Sequence, residues 1–122
     1  YAGQHGVILA LENHGGLTET SAGLLALVKD VQSPWFGVNL DTGNFHSDDV
    51  YTEMAKVAPY ALNVQVKVVV KQGEKKKEES DFKRIGKILR DARRREALRK
   101  AQAEKEVLVR NAVNHALRGG AA

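Results

Sequence analysis

Short apolar runs alternate along the first 92 residues with stretches in which apolar residues recur at helical spacing. The runs that predict strands are residues 7–12, 35–41 and 61–70. The stretches that predict helices are 21–31, 50–58 and a long segment from residue 82 onward. Unbroken apolar runs are typical of parallel strands that are buried on both faces. The order strand, helix, strand, helix, strand, helix therefore predicts an α/β fold with a parallel sheet and right-handed crossovers.

Residues that favour turns and helix starts separate these elements. Gly15 and Gly16 follow the first strand and predict a turn. Side chains that can cap a helix N-terminus precede each helical stretch, at residues 18–21, 47–49 and 80–81. The polar segment 71–80, "KQGEKKKEES", predicts a loop between the third strand and the third helix.

The C-terminal part of the chain changes character near residue 93. Phe82, Ile85 and Leu89 keep a helical spacing, the run 93–95 is all arginine, and a weaker apolar stripe begins at Leu98. This pattern permits either two helices or one helix of about 35 residues, which would be about 50 Å long. We therefore predict a first segment, 1–92, and a divergent helical extension, 93–122. A domain of this size cannot cover so long a helix, and a second copy of the chain is expected to pack on its far end.

Composition narrows the possible partners. The chain has 122 residues, a net charge of +4 and no cysteine, which excludes disulfides and thiolate metal sites. Most basic residues lie in the second half, in clusters that are more typical of a solvated helix face than of a nucleic-acid interface, and few aromatic rings accompany them. The chain shows no signal peptide and no apolar run that could span a membrane. We expect a cytoplasmic protein with no membrane partner and no nucleic-acid partner.

Two carboxylates end successive predicted strands. Glu12 closes the first strand and Asp41 closes the second. Because chemistry in parallel α/β sheets gathers at the carboxyl ends of the strands, these two side chains can converge on one ion. The alternative is that they cap helices or hold loops through hydrogen bonds.

Other polar side chains near these strand ends are candidates for binding or catalysis. His14 and His46 are imidazoles in predicted loops, so each is either a base or ligand or an ordinary surface histidine. Asn44 either contacts substrate or holds its loop through an Asx-turn. Gln65 and Lys67 lie within the third predicted strand. Gln65 is either a ligand or a buried amide, and Lys67 either binds a phosphate or neutralises the two acids.

Four segments together resemble a known family. "GVILALENHGG", "FGVNLDTGNF", "APYALNVQVKV" and "RIGKILRDA" are similar, in this order, to the second half of the xylose isomerase-like TIM barrels, from about residue 5 to residue 92. That superfamily contains sugar phosphate isomerases and epimerases and the endonuclease IV phosphodiesterases. The resemblance implies that 1–92 is a half-barrel segment with strands five to seven of a partial TIM barrel. Because a half-barrel leaves strand edges and an apolar face open, we expect copies of the chain, each with a long C-terminal helix, to complete the structure as a homodimer or higher homo-oligomer.

The resemblance also implies a metal site. It places Glu12, Asp41 and Gln65 as ligands of a divalent ion (Mn, Zn, Co or Mg), with Gln65 where many relatives carry histidine. The eighth strand of the family, which bears a last glutamate, has no counterpart in 93–122. We assign Glu12, His14 and Lys67 as catalytic residues. Asn44 and His46 are assigned to contact the substrate.

Three functions remain open. The first is a divalent-metal-dependent hydrolase of phosphate esters, similar to a phosphodiesterase, because metal-assisted hydrolysis needs fewer placed groups than isomerisation. The second is a sugar or sugar phosphate isomerase or epimerase that works by metal-assisted proton transfer. The third is a non-catalytic fragment that associates with itself. Either enzyme would take a small phosphorylated or sugar substrate.

Overall fold

The computed structural model describes residues 1–73 and 76–119, which form six strands and three α-helices. The strands are β1 (Leu9–Glu12), β2 (Phe36–Asp41), β3 (His46–Ser47), β4 (Ala61–Gln65), β5 (Val69–Gln72) and β6 (Lys76–Glu79). The α-helices are α1 (Ser21–Val31), α2 (Val50–Val57) and α3 (Phe82–Gly119). Short 3-10 helices lie at Ala2–His5, Gly16–Thr18 and Ala58–Tyr60. The chain divides after Ala92 into two units, which are described separately below.

The first unit is built on a three-stranded parallel sheet in the order β1-β2-β4. On the central strand β2, Val38 and Leu40 point to one face and are fully buried. They belong to a core that includes Leu24 of α1 and Met54 of α2. The predicted α/β fold with three parallel strands is therefore confirmed, and the described residues form no closed barrel.

Capping side chains begin the helices where the sequence predicts. Thr20 accepts a hydrogen bond from the Gly23 N–H at 3.1 Å at the start of α1. Asp49 accepts hydrogen bonds from the backbone of two residues in the first turn of α2. Asp81 accepts one from the Arg84 N–H at 2.9 Å at the start of α3. Each bond satisfies a backbone N–H that has no partner within the helix.

The prediction of a single third strand over 61–70 is wrong. Strand β4 ends at Gln65, and β5 belongs to a second sheet of order β3-β5-β6. The connection bends because the Lys67 N–H donates to Thr42 Oγ1 at 2.8 Å and the Lys67 carbonyl accepts from Ser80 Oγ at 2.7 Å. These polar side chains take the place of a strand partner, so Lys67 lies after the strand and not within it.

The predicted loop 71–80 and the predicted loop around His46 also contain strands. Residues 71–72 complete β5, which pairs antiparallel with β6, and β3 pairs parallel with β5. Residues 74–75 of the predicted loop lie outside the described residues. A hairpin rich in lysine and glutamate forms here because Val70, on one face of β5, is fully buried in the core.

Strand β1 is an edge strand, contrary to the prediction of burial on both faces. It pairs only with β2 in the described structure, and Leu9 is 51% exposed. On the other edge of the sheet, Leu62 of β4 is 50% exposed. Both edges of the parallel sheet therefore present backbone groups and apolar side chains that no described element covers.

The second unit is the C-terminal part of one continuous helix. Helix α3 begins at Phe82 and runs without a break through the arginine run 93–95. Arginine, alanine and glutamate are strong helix formers, so the interruption of the apolar stripe does not interrupt the helix. Residues 97–118 are exposed.

Two carboxylates at the start of and within α2 make the stability of the fold depend on pH. Hydrogen bonds, first of all from the Thr52 hydroxyl, hold the pKa of Asp49 below its ordinary value. Burial alone would raise the pKa of Glu53, but hydrogen bonds from Lys56 and Ser21 outweigh it and lower that pKa. A carboxyl group with a lowered pKa in the folded state stabilises the fold above its ordinary pKa and loses that contribution as the pH falls through the lowered value.

We therefore expect the free energy of unfolding to decrease as the pH falls from about 5 to about 3. Asp49→Asn should flatten this dependence, because asparagine still caps the helix but cannot be protonated. Urea unfolding at a series of pH values, followed by circular dichroism, measures the slope. Equal slopes for the wild type and for the double variant Asp49→Asn, Glu53→Gln would contradict the assignment.

Candidate functional site

A row of polar side chains crosses the parallel sheet on the face opposite the helices. Glu12, Asn39 and Asn63 occupy neighbouring positions on the three strands. Asn63 Nδ2 donates to Asn39 Oδ1 at 2.8 Å, and Asn39 Nδ2 donates to Glu12 Oε2 at 3.3 Å. The second oxygen, Oε1, accepts from Asn44 Nδ2 at 3.3 Å. The Glu12 carboxylate is therefore held by two amides.

Asp41 and Gln65 form a second pair, at the carboxyl ends of β2 and β4. Asp41 is only 2% exposed, and its Oδ1 accepts from the Gly43 N–H at 2.8 Å. The Lys67 ammonium lies 3.0 Å from Asp41 Oδ2 and 3.2 Å from Gln65 Oε1. Two of the three predicted metal ligands thus direct an oxygen at one positive charge.

Asn13 holds the backbone of Asp41 in place. It is fully buried; its Nδ2 donates to the Asp41 carbonyl at 2.9 Å and its Oδ1 accepts from the Asp41 N–H at 2.8 Å. This pair of bonds joins the ends of β1 and β2. It therefore fixes the two carboxylates of the candidate site relative to each other.

The remaining predicted residues line a pocket beside Glu12. The pocket has a volume of about 260 Å³ and is lined by His14, Gly15, Glu19, Asn44, His46 and Lys71. His46 is contacted on both sides: its Nδ1 lies 3.5 Å from Glu19 Oε1 and its Nε2 lies 3.2 Å from Lys71 Nζ. We call this the imidazole pocket. Asn44 connects it to the candidate metal site through its bond to Glu12.

The predicted residues therefore fall into two adjoining groups. One contains the acids with Gln65 and Lys67, and the other contains the two histidines with Asn44. Several partners in these groups were not predicted from the sequence: Asn13, Glu19, Asn39, Asn63 and Lys71. Asn39 and Asn63 do leave a signal, because each interrupts an apolar strand at a position that alternation assigns to the face opposite the core. Glu19 and Lys71 leave none.

Comparison with known families identifies the fold to which the site belongs. A family model described as xylose isomerase-like TIM barrel matches residues 1–104. The chain belongs to this family. The family generally comprises enzymes, among them isomerases, epimerases and endonuclease IV. A search of curated proteins finds no match to the chain.

Family membership confirms the resemblance found in the motifs, and the match extends beyond it. The match continues to residue 104, past the arginine run in α3, whereas the motifs resemble the family only as far as about residue 92. Within residues 1–73 and 76–119, no helix combines the length and apolar character that a membrane span requires.

The residues at the candidate metal site fit a hard divalent ion in their chemistry. Members of this family often use divalent metals. Carboxylate and amide oxygens are the donors that Mg²⁺ and Mn²⁺ prefer. In the described structure the cation that Asp41 and Gln65 share is the Lys67 ammonium. The described residues contain no group of three His, Cys, Asp or Glu side chains placed to hold a metal ion.

We expect Asn13→Ala to destabilise the first unit by about 2–4 kcal/mol, because it leaves the N–H and the carbonyl of Asp41 buried without partners. Urea unfolding measured at one protein concentration gives the value. Asn63→Ala is the matched control: Asn63 is exposed and bonds only to Asn39 in the described structure, so its loss should cost about 1 kcal/mol or less. Equal losses for the two variants would contradict the role given to Asn13.

Proposed function

We propose that the protein is a divalent-metal-dependent hydrolase of small phosphate esters. The observation that supports this best is the convergence of Asp41 and Gln65 on one positive charge at the carboxyl edge of the sheet. Asp41, Gln65 and Glu12 would hold the ion. When bound, such an ion supplies Lewis-acid polarisation of a phosphoryl oxygen and a more acidic water.

The chain's own residues would bind and orient the ester. In the described structure, Lys67 neutralises the buried Asp41 carboxylate, and its ammonium is placed to donate a hydrogen bond to a phosphoryl oxygen beside the same ligands. Glu12, held by Asn39 and Asn44, is placed to accept a proton from a water at this edge. His14 lies in the adjoining pocket, as a second candidate base.

Isomerisation or epimerisation of a sugar or sugar phosphate is the second candidate, and the family supports it because it includes enzymes of that class. Proton transfer at a carbon needs acid and base groups on two sides of the reacting atom and a closed pocket. The open sheet edge of one described chain does not supply such a closed pocket, and hydrolysis depends on it less than isomerisation does. A self-associating protein without catalysis is the third candidate. A cytoplasmic location remains a prediction under each of them.

The decisive experiment measures metal binding and turnover with matched variants. We expect the wild type to bind one Mn²⁺ per chain in calorimetry and to hydrolyse p-nitrophenyl phosphate or bis-p-nitrophenyl phosphate. Asp41→Asn should weaken Mn²⁺ binding about tenfold or more and abolish turnover, since it removes the buried anionic ligand. Asp48→Asn is the control: Asp48 is exposed, in the turn between β3 and α2, and the variant should change neither Mn²⁺ binding nor turnover.

Each other outcome points to a different function. Turnover of aldoses or ketoses without turnover of phosphate esters, lost in Asp41→Asn, would replace the hydrolase by an isomerase or epimerase. If the wild type shows neither metal binding nor turnover, the third candidate, a self-associating protein without catalysis, would be supported. Activity retained in Asp41→Asn and in Glu12→Gln would show that the site lies elsewhere.

We also propose that a second copy of the chain covers the open edges of the sheet. The apolar side chains of Leu9 and Leu62 are half exposed on the edge strands β1 and β4. Unpaired strand edges with apolar side chains favour association. A homodimer buries both and brings two candidate sites into one assembly.

We expect light scattering to give a mass of about 27 kDa, twice the 13.4 kDa of one chain. Leu9→Glu should shift the mass toward 13.4 kDa because it places a charge on the open edge. Leu17→Glu is the control, since Leu17 is 81% exposed in the turn that follows β1 and lies on no strand. A wild-type mass equal to one chain would refute the dimer.

A further inference from the structure

We propose that the imidazole pocket binds the phosphate group of the substrate, through Lys71 and His46. This proposal rests on the proposed function. It places the phosphate group of the ester in the pocket on the side of Glu12 where Asn44 lies. Binding of phosphate can nevertheless be measured without any catalysis. Lys71 and Glu19 have no role in the candidate metal site.

Three separate segments build the pocket. Gly15 and Gly16 adopt left-handed backbone conformations, with φ values of 72° and 55°, and turn the chain after β1 toward Glu19. His46 lies on β3 and Lys71 on β5, at directly paired positions of the second sheet. Lys71 therefore lies beside His46 because of the hairpin β5–β6, which the sequence pattern does not predict.

The two contacts of His46 are of opposite kinds. The Glu19 carboxylate can only accept and the Lys71 ammonium can only donate, so together they fit the tautomer with hydrogen on Nδ1. The Nε2 lone pair is then free to accept from the Lys71 ammonium at 3.2 Å. Lys71 has three hydrogens and uses one of them on His46, which leaves two for a ligand in the pocket.

A phosphate group suits this set of donors in charge and in size. Lys71 supplies a full positive charge, and the negative charge of Glu19 is directed at His46 on the other side of the ring. A phosphate oxygen can accept from the Lys71 ammonium, and the charges on both groups make that hydrogen bond stronger than one between neutral groups. The volume of about 260 Å³ is below the range of about 300–1,000 Å³ that holds drug-sized ligands, so it suits one small anionic group.

A cation or a neutral hydroxyl group fits less well. A divalent ion favours several carboxylate ligands, and of the described residues that line the pocket only Glu19 has a carboxylate. A sugar hydroxyl would leave the charge of Lys71 without a counterpart. Phosphate is therefore the ligand class that the pocket favours.

The test is a titration with inorganic phosphate at pH 6.5 and constant ionic strength, followed through the ¹⁵N-labelled histidine rings by NMR. The His46→Gln variant assigns the His46 signals. We expect these signals to shift and saturate in the wild type. Lys71→Met should weaken binding about tenfold or more, because it removes a charge-assisted hydrogen bond. Glu19→Gln should strengthen binding, because it removes a negative charge from the pocket.

Lys77→Met is the matched control. Lys77 lies on β6, directly paired with Lys71 and exposed, and does not line the pocket. It should leave phosphate binding unchanged. Ribose 5-phosphate and ribose separate a substrate-borne phosphate group from free phosphate: the first should displace inorganic phosphate from His46 and the second should not.

The outcomes separate this proposal from the proposed function. Unmoved His46 signals, or equal effects of Lys71→Met and Lys77→Met, would overturn the phosphate pocket whatever the enzyme hydrolyses. Saturable binding that depends on Lys71, in a protein that hydrolyses no phosphate ester, would sustain the pocket and reject the hydrolase. Binding of inorganic phosphate that ribose 5-phosphate does not displace would reject the assignment to substrate.

Discussion

The burial of the Asp41 carboxylate is the constraint on which the rest of the first unit depends. An ionised carboxylate that is almost fully removed from water is tolerated only with compensating charge and hydrogen bonds. Lys67 supplies the charge, Gly43 supplies a backbone donor, and Asn13 satisfies the backbone of the same residue. These partners come from the residue that follows β1, from the loop after β2 and from the segment after β4. One buried acid thus ties together the carboxyl ends of all three parallel strands.

That requirement also explains where the third strand stops. Lys67 reaches Asp41 only because the chain leaves the strand direction after Gln65, with its peptide groups bonded to Thr42 and Ser80. The departure sends the following residues into a second sheet. Lys71 consequently lies beside His46 and not at the end of the parallel sheet. The geometry of the imidazole pocket therefore follows from the same bend.

Local patterns predicted most of the first unit but could not predict this bend. The helix starts at Thr20, Asp49 and Asp81 depend on side chains close in sequence to the backbone they cap. They can therefore be predicted from the local sequence. The run 61–70 has a uniform β-strand pattern, and the bonds that divide it come from residues 13 and 25 positions away. Glu12 and Asp41 were predictable because they end strands. The hydrogen bonds that hold their side chains were not predictable, because cross-strand register and loop geometry decide those contacts.

The two cationic side chains of the site differ in a way that bears on how a substrate would be held. Lys67 is paired with a buried carboxylate, whereas Lys71 contacts the acceptor nitrogen of an imidazole. Withdrawing Lys67 from Asp41 leaves a buried charge without its partner, which costs far more than withdrawing Lys71 from an exposed imidazole nitrogen. An incoming anion therefore recruits Lys71 more readily than Lys67. Lys71, the cation with the weaker interaction, lies in the pocket beside Glu12. A phosphate group bound there would approach the acids and leave in place the Lys67–Asp41 ion pair, which holds the strands together.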